Sequence, residues 1–280
     1  MQLKLKNSTL DLSKPLVMGV LNVTPDSFSD GGQFLSIDAA VARAREMVGE
    51  GAAIIDVGGE STRPGAQPVS EQEEIARVVP VIERLSRELD CVISIDTLKP
   101  AVMAAACAAG ATMINDVNAL QAPGALEIAQ RFEAAVCLMH MQGEPRSMQN
   151  APQYGDVVTE VRDFLAARVR ACKEAGIPAQ RILLDPGIGF GKTLEHNLEL
   201  LANLDAFAGL HCPLLIGVSR KSMFKALLGA SVDQRLNGAL SAAAIAVWQG
   251  AVIVRAHDVR ATAEALQVAA ALRDKRRAQQ

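Results

Sequence analysis

The sequence predicts an α/β protein in which eight parallel strands alternate with helices and close into a (β/α)8 barrel. Short apolar runs recur along the chain, alanine-rich amphipathic stretches separate them, and each run ends in a polar residue. Four of the runs follow a glycine that suits the left-handed position after a helix. Because 280 residues is a usual length for one such barrel, we expect a single domain over residues 1–280.

The elements follow in chain order. The first segment, KLKNSTLDL, predicts a small hairpin or an extended lead-in that covers the bottom of the barrel. Amphipathic spacing predicts helices that include residues 37–49, 71–89, 156–175 and 259–275. The eight predicted strands lie in the runs LVMGVLN, EGAAIIDV, CVISID, AGATMIND, AAVCLMH, AGIPAQRILLD, PLLIGVS and QGAVIVRAHD.

Composition excludes several classes of partner. The net charge of -3 comes with no basic block except the short tail at 273–277, so we expect no nucleic-acid binding. The N-terminus lacks the pattern of a signal peptide, and no apolar stretch approaches the roughly 18 residues of a membrane span, so we expect a cytoplasmic protein. The five cysteines are far apart and form no CxxC pair, which indicates reduced core residues.

Polar residues close all eight predicted strands. A barrel of this kind carries its chemistry at the C-terminal ends of its strands. Helix capping explains Asp56 or Asp116 equally well, but it does not explain basic residues on the same rim. The residues of this ring are Asn22, Asp56, Asp96, Asn115, Asp116, His140, Asp185, Ser219, Arg220, Lys221, Arg255 and His257.

The acidic part of the ring predicts a pocket for a flat heterocycle. The side chains of Asp96, Asn115 and Asp185 suit the amino and ring N–H edge of a guanine-like or pterin-like ring. Lys221 can supply the cation that keeps such carboxylates ionised. A lysine here could instead be a Schiff-base nucleophile, although Arg220 beside it also suits an anionic group.

The basic part of the ring predicts an anion clamp. Arg255 and His257 alternate in RAHD, so both side chains point to one side of the strand, near the usual phosphate position of such barrels. The alternatives are a surface ion pair for Arg255 and a core histidine for His257. Two long loops, NVTPDSFSDGG and GGESTRPGA, have the composition of mobile lids beside this mouth.

Several of these runs resemble the dihydropteroate synthases, the folate-pathway enzymes that sulfonamides inhibit. The runs match in order along nearly the whole chain: MGVLNVTPDSFSDGG, IIDVGGESTRPGA, SIDT, INDV, LMHMQG, LLDPGIGFGK, GVSRKS and RAHDV. The resemblance implies a (β/α)8 barrel and a transferase that joins 6-hydroxymethyl-7,8-dihydropterin pyrophosphate to p-aminobenzoate. It also implies a homodimer, which alanine-rich outer helices near 233–248 and 259–275 could form.

The resemblance also implies a role for individual residues. Pterin would be held by Asp96, Asn115, Met139, Asp185, Phe190 and Lys221, and pyrophosphate by Asn22, Arg255 and His257. Mg2+ would bridge Asn22 and the phosphates. The p-aminobenzoate site would comprise Phe28, Thr62, Arg63, Pro64, Ser219 and Arg220, and the catalytic group Asp96, Asp185, Lys221, Arg255 and His257. Asp26 and Asp56 are candidates for local roles near the metal or the loops.

Two alternatives and two departures qualify this expectation. A methyltetrahydrofolate-type methyltransferase would share the pterin pocket but would need neither the Arg255–His257 clamp nor the STRPGA loop. A paralogue without catalytic activity would bind the pterin phosphate without turning it over. Leu98 stands where a small hydroxyl residue is more familiar in the family, and Ala239 follows Gly238 where threonine or serine is expected.

Overall fold

The computed structural model describes residues 1–24, 32–60, 69–143, 148–149 and 151–277, with the side chains of 32–36 and 277 left out. Two short strands come first, β1 (Gln2–Lys4) and β2 (Thr9–Asp11). The strands that follow are β3 (Leu16–Asn22), β4 (Ala52–Gly58), β5 (Val92–Asp96), β6 (Met113–Asp116), β7 (Ala135–Met139), β8 (Ile182–Asp185), β9 (Leu215–Gly217) and β10 (Ile253–Ala256).

Helices alternate with these strands. They are α1 (Gly32–Gly49), α2 (Glu71–Glu88), α3 (Pro100–Ala109), α4 (Ala125–Arg131), α5 (Val157–Glu174), α6 (Leu194–Ala202), α7 (Met223–Leu228), α8 (Leu236–Trp248) and α9 (Val259–Arg277). Short 3-10 helices span Ala179–Arg181, Leu204–Leu210 and Val232–Gln234. The four stretches predicted to be helical are therefore α1, α2, α5 and α9.

Eight parallel strands form the barrel that the sequence predicts. They are hydrogen-bonded in the order β8, β7, β6, β5, β4, β3, β10 and β9. The amide of Leu184 donates to the carbonyl of Pro213 at 3.0 Å, and a parallel bridge between Leu184 and Leu214 joins β8 to the segment before β9. This bridge closes the sheet on itself, and the architecture is that of a TIM barrel.

Side chains alternate between the two faces of each strand because the pleat has a period of two residues. On β4, the outward Ile55 and Val57 join the large core that packs against the helices, whereas Ile54 belongs to a separate cluster in the barrel interior. The run AAIIDV is therefore apolar on both faces, as expected for a strand covered by helices outside and by side chains inside.

The N-terminal segment is a hairpin that closes the lower end of the barrel, where the strands begin. Strands β1 and β2 pair antiparallel. Leu3, Leu5 and Leu12 are 0%, 3% and 3% exposed and pack in one cluster with Met18 and Ile54 of the barrel interior. The hairpin alternative and its predicted position at the bottom are both confirmed.

The predicted state of the cysteines is also confirmed. All five have free thiols, and four of them are buried. Burial raises the pKa of Cys91, Cys107 and Cys172 to about 11, 12 and 11, which keeps these thiols protonated and unreactive. Within the described ranges, no helix is both long and apolar enough to cross a membrane.

Candidate active site

A layer of polar side chains fills the upper end of the barrel interior, above the apolar cluster. We call Asp56, Asp96, Asn115, Asp185 and Arg255 the inner polar layer. Arg255 on β10 reaches Asp96 on β5, and β3 and β4 lie between these strands in the sheet. A contact between such distant strands crosses the interior, so these side chains point into the barrel.

Arg255 is the centre of this layer. Its Nε donates to Oδ2 of Asp56 at 2.6 Å, and its Nη2 donates to Oδ2 of Asp96 at 2.7 Å. Burial alone would lower the pKa of Arg255, but the carboxylates of Asp56 and Asp96 outweigh it and raise that pKa further. The interpretation of Arg255 as a surface ion pair is wrong, because both carboxylates belong to the barrel interior.

Asp56 fixes the orientation of the Asn115 amide. Its Oδ2 also accepts a hydrogen bond of 3.0 Å from Nδ2 of Asn115, and Asp56 is completely buried. Because this oxygen also accepts from Nε of Arg255, it acts as an acceptor, and the amino group of Asn115 faces it. The carbonyl oxygen of Asn115 then remains for a donor on a ligand. Capping does not explain Asp56, whereas Asp116 does cap a turn, with its carboxylate accepting from the amides of Asn118 and Leu120 at 2.7 Å.

Three buried oxygens in this region have no hydrogen-bond partner among the described residues. They are Oδ1 of Asp56, Oδ1 of Asp96 and Oγ of Ser94. Burial raises the pKa of Asp96 to about 7, although Arg255 opposes this. Unpartnered buried polar atoms are uncommon in proteins and mark places where a ligand or water completes the bonding. The inner polar layer is therefore built to receive donors.

Asp185 and Lys221 form the other side of the pocket. Oδ1 of Asp185 accepts from the amide of Gly187 at 2.7 Å, and burial raises the pKa of this carboxyl while Lys221 and Lys192 lower it. Nζ of Lys221 lies 3.9 Å from the centre of the Phe190 ring. Burial lowers the pKa of Lys221 to about 8. Met139, which is 3% exposed, is the register partner of Asp185.

The predicted clamp residues make different contacts. His257 contacts Oγ of Ser219, with Nδ1 at 3.0 Å and its backbone amide donating at 3.2 Å. Arg220 pairs with Asp258 at 2.8 Å and is partly exposed. Arg255, by contrast, is held by Asp56 and Asp96. The structure thus brings His257 and Ser219 together, and it engages Arg255 with carboxylates of the pocket.

Asn22 lies at the end of β3, in register with Gly58. A Cβ atom added to Gly58 would lie 3.7 Å from Oδ1 of Asn22 and 3.8 Å from Oδ2 of Asp96, so both oxygens border the space above this glycine. Among the described residues, no group of three or more His, Cys, Asp or Glu side chains could hold a metal. Mg2+ usually takes one or two protein oxygens and fills its remaining positions with phosphates and water.

With this geometry known, comparison with known proteins identifies the family. The model of the family described as pterin binding enzyme matches residues 18–257. The chain belongs to the pterin binding enzyme family. Its relatives include the dihydropteroate synthase of Escherichia coli K12, which is 52% identical over 268 residues and aligns with 96% of this chain and 95% of its own.

Solved structures of pterin binding enzymes agree with this assignment. The Yersinia pestis dihydropteroate synthase in a sulfonamide drug complex has a TM-score of 0.93 and 51% identity, and the match covers 98% of this chain and 100% of that one. The Xanthomonas albilineans dihydropteroate synthase with 7,8-dihydropteroate has a TM-score of 0.88 and 45% identity, with 97% and 98% covered. The predicted fold and the resemblance are both confirmed.

Part of the site expected for this pterin binding enzyme lies outside the described residues, namely Asp26, Phe28, Thr62, Arg63 and Pro64. The residues at the edges of the second loop are described. Lys99 Nζ lies 2.5 Å from Glu60 and 2.7 Å from Glu74, and it also donates to the carbonyl of Val69. This ion cluster joins both ends of the loop to the barrel.

Sequence reasoning missed one buried cation of the pocket wall. Lys192 is 2% exposed, and its Nζ lies 3.0 Å from Nδ1 of His140. The lysine is the last residue of the run LLDPGIGFGK, which contributes to the family resemblance but gives this lysine no role of its own. A lysine after alternating glycines resembles a solvated loop residue, and only the packing of two loops reveals its burial.

Proposed function

We propose that this pterin binding enzyme is a dihydropteroate synthase. It condenses 6-hydroxymethyl-7,8-dihydropterin pyrophosphate with p-aminobenzoate, giving 7,8-dihydropteroate and pyrophosphate. The observation that carries the proposal is the inner polar layer, in which Oδ1 of Asp96 lacks a protein partner and the charges of Asp96 and Asp185 act on Lys221. Relatives at about 50% identity over nearly the whole chain bear this name.

The pterin ring fits the chemistry of the pocket. The carboxylate of Asp185, the carboxylate of Asp96 and the outward carbonyl of Asn115 are acceptors for the amino and ring N–H groups of a pterin edge. Met139 and Phe190 would contact the ring faces, and Lys221 would donate to a ring acceptor. Oδ1 of Asp96, which has no protein partner, would then be satisfied by the substrate, which is why donors on a flat ring are favoured over an anion at this depth.

The pyrophosphate group would lie above the pterin, near Asn22, Arg255 and His257. Arg255 carries its charge at every relevant pH and can share its guanidinium between Asp96 and a phosphate oxygen. The oxygens around Gly58 fit Mg2+ because this ion needs only one or two protein ligands when phosphates supply others. When bound through Asn22, Mg2+ would neutralise part of the negative charge of the phosphates.

The reaction is a substitution at the methylene carbon of the pterin. The C–O bond breaks and its electron pair leaves with pyrophosphate, whose growing charge Arg255 and His257 stabilise. The carboxylates of Asp96 and Asp185 stabilise positive charge on the pterin. The arylamine nitrogen then donates its lone pair to the methylene carbon and releases one proton. A neutral aniline is already a nucleophile, so no dedicated base is assigned.

The p-aminobenzoate site would be formed by Ser219, Arg220 and the two long loops with Phe28, Thr62, Arg63 and Pro64. Arg220 adopts a left-handed backbone conformation with φ 58 and is 44% exposed at its side chain, so its guanidinium can reach a carboxylate at the entrance. Its present partner, Asp258, has a lowered pKa because of this contact. A benzoate would compete with that carboxylate for the same group.

The proposal is tested by pyrophosphate release from the pterin substrate in the presence of Mg2+, with and without p-aminobenzoate. Release that requires the arylamine and yields dihydropteroate supports the synthase. Tight pterin binding without release would favour a paralogue lacking activity, and absence of binding would contradict the pterin pocket. Omitting Mg2+ in a parallel assay tests the metal separately, because pterin affinity should fall less than the rate.

We also propose that the enzyme is cytoplasmic and forms a homodimer through α8 and α9. These helices pack against each other and expose large apolar side chains, including Ile245 at 55%, Val268 at 63% and Leu272 at 59%. Val268 and Leu272 are four residues apart and lie on one face of α9, and an exposed apolar patch of this kind is typical of a protein–protein interface. Sedimentation should therefore give a dimer, and the double change Val268→Glu with Leu272→Glu should give a monomer. Leu198→Glu on α6 serves as the control, and loss of the dimer in that variant would contradict the interface.

A further inference from the structure

Lys192 is a buried cation that the proposed chemistry does not use. It follows Gly191 in the loop after β8 and is 2% exposed. A lysine is almost never fully buried unless its ammonium group has partners, because removing the charge from water is costly. Its partners therefore indicate why the chain keeps a lysine at this position.

The ammonium group joins two loops. Within its own loop, Nζ donates to the carbonyls of Gly187 and Phe190, both at 2.9 Å. In the loop after β7, it lies 3.0 Å from Nδ1 of His140 and 3.3 Å from the His140 carbonyl. We call this contact between the loops after β7 and β8 the seam. Three ammonium protons thus face acceptors from both loops, and the acceptors leave no position for water.

His140 is chemically matched to this role. Burial lowers the pKa of Lys192 to about 7, and in its ammonium form the lysine donates to Nδ1 of His140, so the ring is then neutral with its proton on Nε2. Burial, followed by the charge of Lys192, lowers the pKa of His140 to about 3. The ring also packs edge-on against Phe164 at 4.9 Å between centroids, which holds its acceptor nitrogen toward the lysine.

The two loops approach so closely that glycine is required. A Cβ atom on Gly187 would lie 1.9 Å from the His140 carbonyl oxygen, and one on Gly191 would lie 2.4 Å from that of Gln142. Both glycines have positive φ, 71° and 60°. The carbonyl oxygens of His140, Gly187 and Phe190 also converge on the ammonium group of Lys192, which offsets their mutual repulsion.

The residues that Lys192 holds are also those that form the pterin pocket. The amide of Gly187 donates to Asp185 at 2.7 Å, and the Phe190 ring lies under Nζ of Lys221 at 3.9 Å. We propose that Lys192 is a positioning residue for pterin binding, which joins the loops after β7 and β8 and thereby fixes Asp185 and the Phe190–Lys221 pair. The inference rests on the proposed function, because the pterin is the ligand that these groups receive.

The test is the variant Lys192→Met, which keeps the length of the side chain but removes the ammonium group. We expect the dissociation constant and KM of the pterin pyrophosphate to rise by about 10-fold or more, since small displacements of binding groups have effects of this size. The KM of p-aminobenzoate should change by less than about 3-fold, because the described residues proposed for its site, Ser219 and Arg220, contact His257 and Asp258 rather than Lys192. A purely structural role would not separate the two constants.

Arg181→Met is the matched control. Arg181 is also a buried cation, 6% exposed, but it precedes β8 at the lower end of the barrel, where it pairs with Glu133 at 2.7 Å. This variant should lose stability in urea while both Michaelis constants stay at wild-type values. Equal pterin constants for Lys192→Met and wild type would overturn the proposal. If wild type itself does not bind pterin, the proposed function fails first, which distinguishes the two.

Lys192→Gln and a measurement on the wild type cover the case in which the methionine variant does not fold. Glutamine retains two N–H donors, so a smaller rise of the pterin constant, about 3- to 10-fold, is expected. In the wild type, pterin should slow amide hydrogen exchange in residues 140–143 and 187–192 together. Protection of only one loop, or of neither, would show that Lys192 does not couple them to the pocket.

Discussion

One oxygen of Asp56 receives two hydrogen bonds, from Arg255 and from Asn115, on two different strands. The carboxylate could act through its charge or through its position as an acceptor. These alternatives differ in their consequences, because an asparagine in the same place offers an oxygen of the same geometry without the charge. Substitution at this residue can therefore separate electrostatics from orientation.

We expect Asp56→Asn to keep the pterin dissociation constant within about 3-fold, and Asp56→Ala to raise it about 10-fold or more. The asparagine oxygen can accept both bonds, whereas alanine leaves the Asn115 amide free to turn and Arg255 without its Nε partner. Titration calorimetry with the pterin pyrophosphate measures both constants. Equal weakening by the two variants would mean that the charge of Asp56, rather than the acceptor, is what the site requires.

The buried ring of His140 makes the free energy of unfolding depend on pH in the acidic range. Its pKa is about 3 in the folded chain against an ordinary value of 6.5, so the unfolded chain binds more protons between these values. Stability from this group is therefore complete above about pH 6.5 and falls as the pH drops toward 3, by up to ~1.4 kcal/mol per pH unit. Asp96 and Asp116, whose pKa values burial raises to about 7 and 6, contribute the opposite slope.

The measurement is the difference in unfolding free energy between wild type and His140→Gln across about pH 4.5 to 7.5. Glutamine does not titrate and can still accept from Lys192, and the contributions of Asp96 and Asp116 are common to both proteins. The difference should shift in favour of the variant as the pH falls. A difference that does not vary with pH would mean that His140 has the same pKa in the folded and unfolded chains.

At the scale of elements, most of the barrel could be predicted from the sequence because strands and helices follow local rules. Each apolar run contains one observed strand, and N-caps such as Ser70 and Asp156 mark the starts of α2 and α5. In AGIPAQRILLD only the last four residues form β8, since the turn at Ala179–Arg181 precedes it. Local signals placed this strand end correctly, and the strand ends carry the site.

The partners within the site could not be predicted in the same way. The pairing of Arg255 with Asp56 joins residues 199 positions apart, and the choice among several carboxylates depends on register and side-chain direction in the closed sheet. Lys192 was missed because its burial results from contact between two loops. The types of residue at the mouth were therefore predictable, whereas their pairing required the three-dimensional structure.

The glycines of the loop after β8 give a prediction at this scale. Gly187 and Gly124 both have positive φ, 71° and 87°, but only Gly187 has an atom in the way of a Cβ, the His140 carbonyl oxygen at 1.9 Å. Gly124→Ala should cost about 1–2 kcal/mol, the strain of a left-handed residue. Gly187→Ala should cost more than about 4 kcal/mol or prevent folding, because the loops must separate.

Urea unfolding of both alanine variants measures these costs, with Gly124→Ala as the matched control for backbone strain. If the two variants lose the same free energy of unfolding, then the loops can separate at the seam without a loss of stability. That result would also mean that the loops after β7 and β8 do not behave as one unit.

The whole molecule divides its interior into two halves with opposite chemistry. Below lie apolar side chains that the N-terminal hairpin covers, and above lies the inner polar layer with its unpartnered oxygens. The apolar lower half should therefore contribute to stability without contributing to substrate binding, because the groups proposed to bind substrate lie in the upper half. A change at the bottom should then affect unfolding without affecting substrate affinity.

Leu3→Ala tests this division, because Leu3 is 0% exposed and packs under the barrel. The free energy of unfolding should fall by about 2–5 kcal/mol, the usual range for a buried leucine. Lys4→Ala, at the exposed neighbouring position, should change it by less than about 0.5 kcal/mol. Both variants should retain wild-type KM for each substrate when folded, and a pterin KM that follows the loss of stability would contradict the division.

The hairpin under the barrel also decides how molecules travel. Among the described residues, Leu3, Leu5 and Leu12 close the lower end of the barrel interior. Substrates therefore enter the polar pocket from its upper end. Both reactants and both products of the proposed reaction have to pass through this one opening. The molecule that binds deepest has to bind first and leave last. Product release, rather than bond formation alone, can therefore limit the turnover rate.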